Sequence, residues 1–594
     1  TYPTNSCTPA TSGASVAVSC AAGATCQTYV RYRSTDQVGN VEAVKSALVR
    51  IDKGAPSNGA VTAAPGNAQV IVSWSGFADT GSGLATGTPY TVVFSTGSVP
   101  TSCASGNLLF SGNGASITHF ALTNGTAYYY RVCATDNFGM ISSGATASAV
   151  PQAPAAGGDH VWSVRFGGLG SFDHALAEAI GVDGNGDVVV VGSFQRTVDF
   201  GGGPFTSAGG PDMFVAKYSA AGAHQWSKHV GGTGEEYAYG VAVDSGGNVI
   251  VTGTFGRFGG PVDFGNGVPL TSAGGPDMFL AKYSATGDYL WAKRLGSTGN
   301  ERAMAVAVDG GDNVSLTGWF QGAVDFGGGP LTSAGGADGF LAKYSPTGSH
   351  VWSSRFGGTG GDIPTAVAVD GSGSVFVTGY FGGTADFGGG PLTSVGGSTD
   401  IFLAKYLAGG THQWSKSLGG ASGDDTAGLA VDGNGDVVVT GTFTGSVDFG
   451  GGLLVNTTGV DILVAKYSGV DGSHRWSKNF GSTFGEGVGG VAVDGSGNVI
   501  LTGSILGSVD FGGGSVGTNG TYDVYVVKLT ADGAHVWSKR AGALYDDHGT
   551  AVAVDGSGNV LVTGDFNTSV DFSGGVSPLT SPGGTDSFLV KFGP

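Results

Sequence analysis

The sequence has little charge, few methionines and no long apolar run. Of its 594 residues, 12% are charged and only four are Met. No apolar run approaches the roughly 18 residues that a membrane-spanning helix needs. No Gly-Lys or His-Glu dipeptide occurs, so neither a phosphate-binding P-loop nor an HExxH zinc site is encoded. We therefore predict a protein that is not an enzyme and does not insert into a membrane.

Basic residues are also scarce relative to acidic ones. The chain has 26 Lys and Arg against 45 Asp and Glu, a formal net charge of −19 and a pI near 4.7. Such an acidic chain is repelled by phosphate backbones and by anionic membrane surfaces. Nucleic acid is thus excluded as an expected partner.

Cysteine is absent after residue 133. The five Cys residues are Cys7, Cys20, Cys26, Cys103 and Cys133. Paired Cys in small β-rich segments indicates an oxidising compartment, which predicts an extracellular or cell-surface location. Cys20 and Cys26 are spaced to close a small loop, which leaves Cys7 over, but other pairings remain open. The odd count and the start on Thr1 lead us to expect a processed or truncated product.

Glycine is abundant, at 115 residues, while 40% of the chain is hydrophobic. Short runs rich in Val, Ile, Phe, Trp and Tyr alternate with Gly-Asn, Gly-Ser and Asp-Gly pairs, a pattern typical of strands joined by turns. This composition indicates a turn-rich all-β protein and not a disordered or collagen-like chain.

One segment, Trp226–Lys282, has a signature that recurs throughout the C-terminal three-quarters of the chain. The repeated Trp occurs as Trp162, Trp226, Trp291, Trp352, Trp414, Trp476 and Trp537. The Asp that closes each "AVAVD"-type run occurs as Asp183, Asp244, Asp309, Asp370, Asp432, Asp494 and Asp555. The Lys of "FLAKY" occurs as Lys217, Lys282, Lys343, Lys405, Lys466, Lys528 and Lys591. A fixed period of this length indicates a repeat architecture.

Four strand-like runs per repeat and seven repeats predict a seven-bladed β-propeller. The tight turns favour the strand order AVAVD, NVIVTG, FLAKY and WSKH from the axis outward. The chain then enters on an outermost strand, Trp162–Phe166, and ends on a third strand, Phe588–Phe592. The first strand must therefore complete the last blade, a one-plus-three closure that leaves no open edge.

The segments "GNVIVTGTF", "DMFLAKYSATGDYLW" and "GGTGEEYAYGVAVD" resemble the bacterial seven-bladed β-propeller repeat known as the SBBP repeat. The resemblance covers residues 161–594. It implies the propeller fold and a secreted bacterial protein, and it specifies no ligand.

Residues 1–53, with "VRYRSTDQVGNVEAVKSALVRID", resemble the C-terminal part of a bacterial Ig-like β-sandwich. Residues 54–152, with "LTNGTAYYYRVCATD", resemble a fibronectin type III sandwich, and residues 153–160 read as a linker. The second resemblance implies that Tyr128 hydrogen-bonds back across its corner. It also implies a disulfide between Cys103 and Cys133. Both segments are expected to act as spacers.

A series of carboxylates is the sharpest candidate for a ligand or cation site, and it consists of Glu236, Glu301, Asp362, Asp424, Glu486 and Asp547. Each lies ten residues after its Trp, in a long connection near the expected channel mouth. Several such oxygens would suit Ca²⁺, and no other cofactor is predicted. The alternative is that each carboxylate accepts backbone N–H groups within its own turn. We favour the alternative, because a turn requirement recurs in every repeat whereas a ligand site rarely does.

Other repeated polar residues are predicted to be structural. Six His residues precede the Trp by two positions, on outer strands of different blades and too far apart for one metal. The repeated Lys and the Asp five positions before it lie on opposite strand faces, so they are predicted to make inter-blade hydrogen bonds and not to pair with each other.

These observations predict a non-enzymatic, secreted or cell-surface binding or adhesion protein. Ig-like spacers would present a propeller that binds an extracellular carbohydrate or protein on its long-loop face. Two alternatives remain open: a self-associating structural subunit of an extracellular fibre or surface layer, and an accessory region of a larger secreted enzyme.

Overall fold

A computed structural model of the chain describes residue 18 and residues 20–21, 25–66, 69–151, 157–168, 170, 173–456, 458–572 and 578–594. All regular elements of these residues are β-strands. The chain forms two compact units, Thr1–Pro154 and Ala155–Pro594. Cys7 lies outside the described residues, so its predicted lack of a partner stays a prediction.

The first unit has nine described strands. They are β1 Thr25–Tyr32, β2 Lys45–Asp52, β3 Ala60–Gly66, β4 Gln69–Ser75, β5 Tyr90–Ser95, β6 Asn107–Gly112, β7 Ser116–His119, β8 Tyr128–Ala134 and β9 Ala145–Ala149. β1 and β2 form an antiparallel hairpin, and two further sheets have the orders β3-β4-β7 and β6-β5-β8-β9.

The core of the first unit lies between those two sheets. Trp74 of β4 and Tyr130 of β8 belong to one buried apolar cluster, so the two sheets face each other across it. Tyr128 Oη accepts a hydrogen bond from Thr123 N at 3.0 Å, the corner contact that the resemblance implied. Disulfides join Cys103 to Cys133 and Cys20 to Cys26, as predicted.

The N-terminal part of the second unit has eleven described strands. They are β10 His160–Gly168, β11 His174–Val182, β12 Val188–Gln195, β13 Thr197–Asp199, β14 Pro204–Thr206, β15 Asp212–Tyr218, β16 His224–Val230, β17 Glu235–Val243, β18 Val249–Arg257, β19 Asp277–Tyr283 and β20 Tyr289–Leu295.

The middle of the unit repeats the same arrangement. Its strands are β21 Glu301–Val308, β22 Val314–Phe320, β23 Ala323–Asp325, β24 Pro330–Thr332, β25 Asp338–Tyr344, β26 His350–Gly358, β27 Asp362–Val369, β28 Val375–Gly382, β29 Thr384–Asp386, β30 Pro391–Thr393, β31 Thr399–Tyr406 and β32 His412–Leu418.

The last strands complete the series. They are β33 Asp425–Val431, β34 Val437–Phe443, β35 Ser446–Asp448, β36 Leu453–Val455, β37 Asp461–Tyr467, β38 His474–Phe480, β39 Gly487–Val493, β40 Val499–Ile505, β41 Ser508–Asp510, β42 Ser515–Gly517, β43 Asp523–Leu529, β44 His535–Ala541, β45 Asp547–Val554, β46 Val560–Val570 and β47 Leu579–Phe592.

Seven antiparallel sheets of the second unit share one strand order. Their four-stranded cores are β11-β12-β15-β16, β17-β18-β19-β20, β21-β22-β25-β26, β27-β28-β31-β32, β33-β34-β37-β38, β39-β40-β43-β44 and β45-β46-β47-β10. Each sheet starts with the "AVAVD" strand and ends with the Trp strand, which is the predicted order. The short hairpins, such as β23-β24, come from the "VDFGGGPLT" segments.

The seventh sheet combines the two ends of the unit. β10 pairs antiparallel with β47, with Val164 opposite Leu589. The first strands of successive sheets contact one another from β11 through β45, and β45 contacts β11. The middle strands are buried on both faces because apolar clusters fill the space between neighbouring sheets; Val191 and Phe279, for example, share one cluster.

Candidate functional site

The six predicted carboxylates lie at the beginning of the first strands of six sheets, and all are buried. Their exposed fractions run from 0% for Glu236, Asp362 and Asp547 to 5% for Glu486. A hydrated ligand cannot reach side chains so enclosed without rearrangement. Their burial therefore argues against an exposed ring of carboxylates that binds a ligand or cation.

Their contacts match the turn interpretation. Four accept a hydrogen bond from the backbone N–H four residues earlier, over 2.9 Å for Glu236, 2.7 Å for Asp362, 2.7 Å for Asp424 and 2.9 Å for Asp547. The remaining two accept from a serine hydroxyl four residues earlier, Ser297 to Glu301 at 2.6 Å and Ser482 to Glu486. Each carboxylate thus fastens the loop that enters its own sheet.

Each carboxylate also lies near the Asp that begins the third strand of the preceding sheet. Burial, with a smaller contribution from that neighbouring Asp, raises the pKa of Asp362 to about 6 and that of Asp547 to about 7. Burial likewise raises the pKa of Asp424 to about 6. Among the described residues, no three of the six carboxylates approach closely enough to share one cation.

The repeated Lys residues have partners that the sequence analysis did not identify. In every sheet the Lys of the third strand forms an ion pair with the Asp that ends the first strand, at 2.8 Å for Lys217–Asp183 and 2.7 Å for Lys282–Asp244. Several Lys residues also reach a carbonyl of the next sheet, as Lys343 Nζ does to Gly373 O at 3.1 Å. The predicted inter-sheet hydrogen bonds are therefore present, together with an unpredicted buried ion pair.

The second repeated Asp has a partner of its own. Asp277 pairs with Arg294 at 2.6 Å, and Asp523 pairs with Arg540 at 2.6 Å. Five of the six repeated His residues contact a serine three positions later, as His224 Nε2 does to Ser227 Oγ at 3.2 Å. His412 Nε2 is buried without a hydrogen-bond partner among the described residues. These contacts lie within single sheets. The inter-blade hydrogen bonds predicted for this Asp are therefore wrong for these two residues, because an Arg of the adjacent strand is the nearer partner, whereas the His contacts fit the predicted structural role.

A different set of residues occupies the centre of the unit, where the first two strands of each sheet meet the longer connections. Seven cross-strand pairs stand at equivalent positions: Leu176–Ser193, Tyr237–Thr254, Arg302–Trp319, Ile363–Tyr380, Asp425–Thr442, Gly487–Ser504 and His548–Asp565. We call them the central pairs. Unlike the repeat signature, these positions differ in chemistry from sheet to sheet.

A glycine in each second strand makes room for the central pairs. A Cβ at Gly253 would lie 1.8 Å from Tyr237 O, and one at Gly318 would lie 2.0 Å from Arg302 O. No side chain fits at such a distance, so the "TG" glycine of the repeat is required. The first strand bulges there, as the register shift between Ala303 and Ala305 shows.

Two tyrosine rings of the second sheet lie beside Arg302 of the third sheet. Its guanidinium carbon lies 3.9 Å from the ring centroid of Tyr239, a cation–π contact. Tyr239 in turn stacks on Tyr237, with ring centroids 5.9 Å apart and planes 10° apart. Arg302 Nε is buried and has no hydrogen-bond partner among the described residues.

Acidic groups add to this centre. Burial raises the pKa of Glu178; Arg302 opposes the shift and Asp565 adds to it. Burial also raises the pKa of Asp565 to about 6, against the influence of His548. Charged residues of the first, third and seventh sheets thus lie near one another.

The central pairs were not predicted from the sequence, because the repeat signature consists of residues that the sheets have in common. The position directly after each predicted carboxylate holds Tyr237, Arg302, Ile363, Asp425, Gly487 or His548. Variation at one position inside an otherwise regular repeat was the available signal. A scaffold needs the same residues in every repeat, whereas a ligand contacts each repeat differently.

Comparison with known proteins agrees with the observed sheets. A family profile described as "Beta-propeller repeat" (SBBP) matches residues 351–380. The chain is 25% identical over 462 residues to an uncharacterized WD repeat-containing protein of Acanthamoeba polyphaga mimivirus, covering 62% of this chain and 33% of that protein. It is 28% identical over 185 residues to the regulatory protein FlaEY of Caulobacter vibrioides, covering 30% of this chain and 19% of that protein. The matched segments span a third or less of these curated relatives.

Similar solved structures include a europium-containing methanol dehydrogenase, with 11% identity, a TM-score of 0.34 and coverage of 75% of this chain and 96% of that one. An ulvan lyase has 12% identity and a TM-score of 0.35, and the match covers 70% of this chain and 97% of that one. Similarity at this level carries no functional argument.

The described residues include no helix long and apolar enough to cross a membrane. The chain is an all-β protein of the β-propeller repeat type.

Proposed function

We propose that the second unit is a seven-bladed β-propeller closed by β10. The support is the shared strand order of its seven sheets and the cycle of contacts among their first strands. The first unit is proposed to be a pair of spacers, an Ig-like module followed by a fibronectin type III-like sandwich. Its two disulfides favour a secreted or cell-surface location.

The propeller is proposed to bind a carbohydrate at the central pairs, without catalysing a reaction on it. The observation that carries this proposal is the partnerless Arg302 Nε beside the stacked rings of Tyr239 and Tyr237. Binding sites combine aromatic walls with a few convergent polar groups that fix orientation. Two further half-buried rings lie near Arg302: Trp319 is its cross-strand partner, and Tyr380 lies close enough for Arg302 to oppose the rise of its pKa on burial.

Carbohydrate is favoured over a strongly charged ligand by the mixture of charges. Arg302 stands near Glu178 and Asp565, so the centre offers a ligand groups of both signs. Hydroxyl groups donate and accept hydrogen bonds and therefore suit both kinds of partner. A protein segment is the alternative ligand, and it would bind the same surface.

The test is a glycan array probed with the intact chain and with three variants. Arg302→Ala and Trp319→Ala are expected to weaken binding at least tenfold, since each removes a contact at the centre. Arg475→Ala is the matched control, because Arg475 lies on an outer strand and pairs with Asp436 at 3.3 Å. Equal binding by all four proteins would contradict the site. No glycan binding together with large oligomers of the intact chain would favour the structural-subunit alternative.

A further inference from the structure

A separate acidic cluster lies in the first unit. Asp52 ends β2, Asp79 follows β4, and Asp136 follows β8. One carboxylate oxygen from each lies within 4.8 Å of the other two. Like charges so close repel one another unless a cation or proton lies between them. We infer that these three residues form a Ca²⁺ site that joins the β1–β2 hairpin to the two sheets of the first unit.

The distance suits this ion. Oxygen ligands lie about 2.4 Å from Ca²⁺, so two oxygens on one ion stand at most about 4.8 Å apart. The three oxygens of Asp52, Asp79 and Asp136 already lie within that limit. The donors are all carboxylates, without His or Cys, and such hard oxygen donors select Ca²⁺ or Mg²⁺ over zinc or copper.

Asp136 supplies the second, independent observation. Its side chain is 1% exposed, and its Oδ1 accepts hydrogen bonds from Phe138 N and Met140 N, both at 2.8 Å. Its Oδ2 is buried and has no hydrogen-bond partner among the described residues. A buried carboxylate oxygen without a partner is costly, and a bound cation is the partner that a cluster of acids provides for.

The chain contains the same turn without this feature. Asp36 Oδ1 accepts from Val38 N at 3.0 Å and Asn40 N at 2.8 Å, the pattern of Asp136. Its Oδ2, however, accepts a hydrogen bond from Asn40 Nδ2 at 2.8 Å. Met140 stands where Asn40 would be, so the second turn lacks this donor. The turn itself therefore does not require a partnerless oxygen.

The other two carboxylates are already oriented. Asp79 Oδ2 accepts from Gly83 N at 2.6 Å, and Asp52 Oδ2 accepts from Ser82 N at 2.7 Å. Loop 79–83 thus holds both side chains in place, which lowers the entropic cost of binding an ion. Ca²⁺ accepts irregular arrangements of oxygen ligands, whereas Mg²⁺ demands a near-ideal octahedron, so carboxylates fixed by a loop in this way favour Ca²⁺.

The test is calorimetric titration of the calcium-free intact chain with CaCl₂, paired with thermal unfolding in CaCl₂ or chelator. We expect one saturable site and a higher Tm for the first unit, since an ion bound only by the folded state stabilises it. Asp79→Asn and Asp136→Asn should each lower the affinity at least tenfold. An Asn retains the oxygen that accepts the turn amides, so the variants should fold.

Asp36→Asn is the matched control, since it changes the equivalent turn outside the cluster. It should leave the Ca²⁺ affinity unchanged. The inference is overturned if the intact chain shows neither heat nor a Tm shift at millimolar Ca²⁺. It is also overturned if both cluster variants bind as tightly as the intact chain, or if Mg²⁺ binds more tightly than Ca²⁺.

Discussion

Arg165 and Asp586 form an ion pair across the two ends of the second unit, with 2.6 Å between Arg165 Nε and Asp586 Oδ2. They are 421 residues apart in the sequence. The equivalent Arg540–Asp523 pair spans only 17 residues, because both partners lie in strands that are adjacent in the chain. The same contact is thus local in one sheet and closes the unit in another.

This relationship predicts different consequences for one substitution at two places. Arg165→Ala and Arg540→Ala should each cost about 2 kcal/mol of unfolding free energy, because each leaves a buried Asp without its charged partner. Only Arg165→Ala should loosen the closure, which hydrogen exchange of β10 and β47 would report. Equal exchange in the two variants would show that the pair does not hold the ends together.

Deleting residues 161–166 should expose an edge of β47 and promote aggregation.

The buried Lys–Asp pairs predict a strong asymmetry between single and double substitutions. Lys343 Nζ lies 2.8 Å from Asp309 Oδ2, and both side chains are buried. Burial alone would raise the pKa of Asp309, but Lys343 and the turn amides outweigh it, and the pKa is lowered. Lys343→Met should therefore cost about 3 kcal/mol in urea unfolding, since it leaves a buried charge unpaired.

Adding Asp309→Asn to Lys343→Met should restore much of that loss. The control is Lys45→Met in the first unit, whose pair with Glu42 is exposed and should contribute nothing measurable. A double variant no more stable than Lys343→Met alone would contradict this account of the pair.

The buried acids predict that the second unit loses stability as the pH rises from about 4 to about 7. Burial raises the pKa of Asp547 to about 7 and that of Asp362 to about 6, so the folded state binds these protons more tightly than the unfolded chain. Stability is then fully present below the unfolded pKa and is lost as the pH rises through the folded one. Each group contributes a slope of up to ~1.4 kcal/mol per pH unit.

Asp547→Asn should remove part of this decline when urea unfolding is measured from pH 4.5 to pH 8. Asp448→Asn is the control with the opposite sign. Hydrogen bonds from Gly450 N and Gly452 N lower the pKa of Asp448, so its contribution is lost only as the pH falls. A slope unchanged by Asp547→Asn would contradict the assignment.

The disulfides predict that reduction affects the two units differently. Cys103–Cys133 spans 30 residues, a loop whose closure is worth about 3 kcal/mol, whereas Cys20–Cys26 spans six and should matter less. Calorimetry with and without reductant should show a lower Tm for the first unit alone, because all five Cys precede residue 134. Free thiols at Cys103 and Cys133 in non-reduced peptide mapping would contradict the pairing.

The repeat by itself determined most of the second unit. The Trp, Asp and Lys series established the all-β repeat, and the turn lengths established the strand order and the pairing of β10 with β47. These features were predictable because they depend on local periods: two residues for a strand and a few residues for a tight turn. The Lys343–Asp309 partnership was missed, since nothing local connects a third strand to the end of a first one.

Only the tertiary structure decided where chemistry is concentrated. The six carboxylates were predicted as a candidate site because they repeat. In the fold, each is buried and binds the loop that enters its own sheet. Arg302, Tyr239 and Glu178 are far apart in sequence and meet only because their strands surround one centre. Asp52, Asp79 and Asp136 likewise come from three separate segments of the chain. Local pattern specifies elements, whereas convergence of side chains depends on how those elements pack, which no single segment of sequence contains.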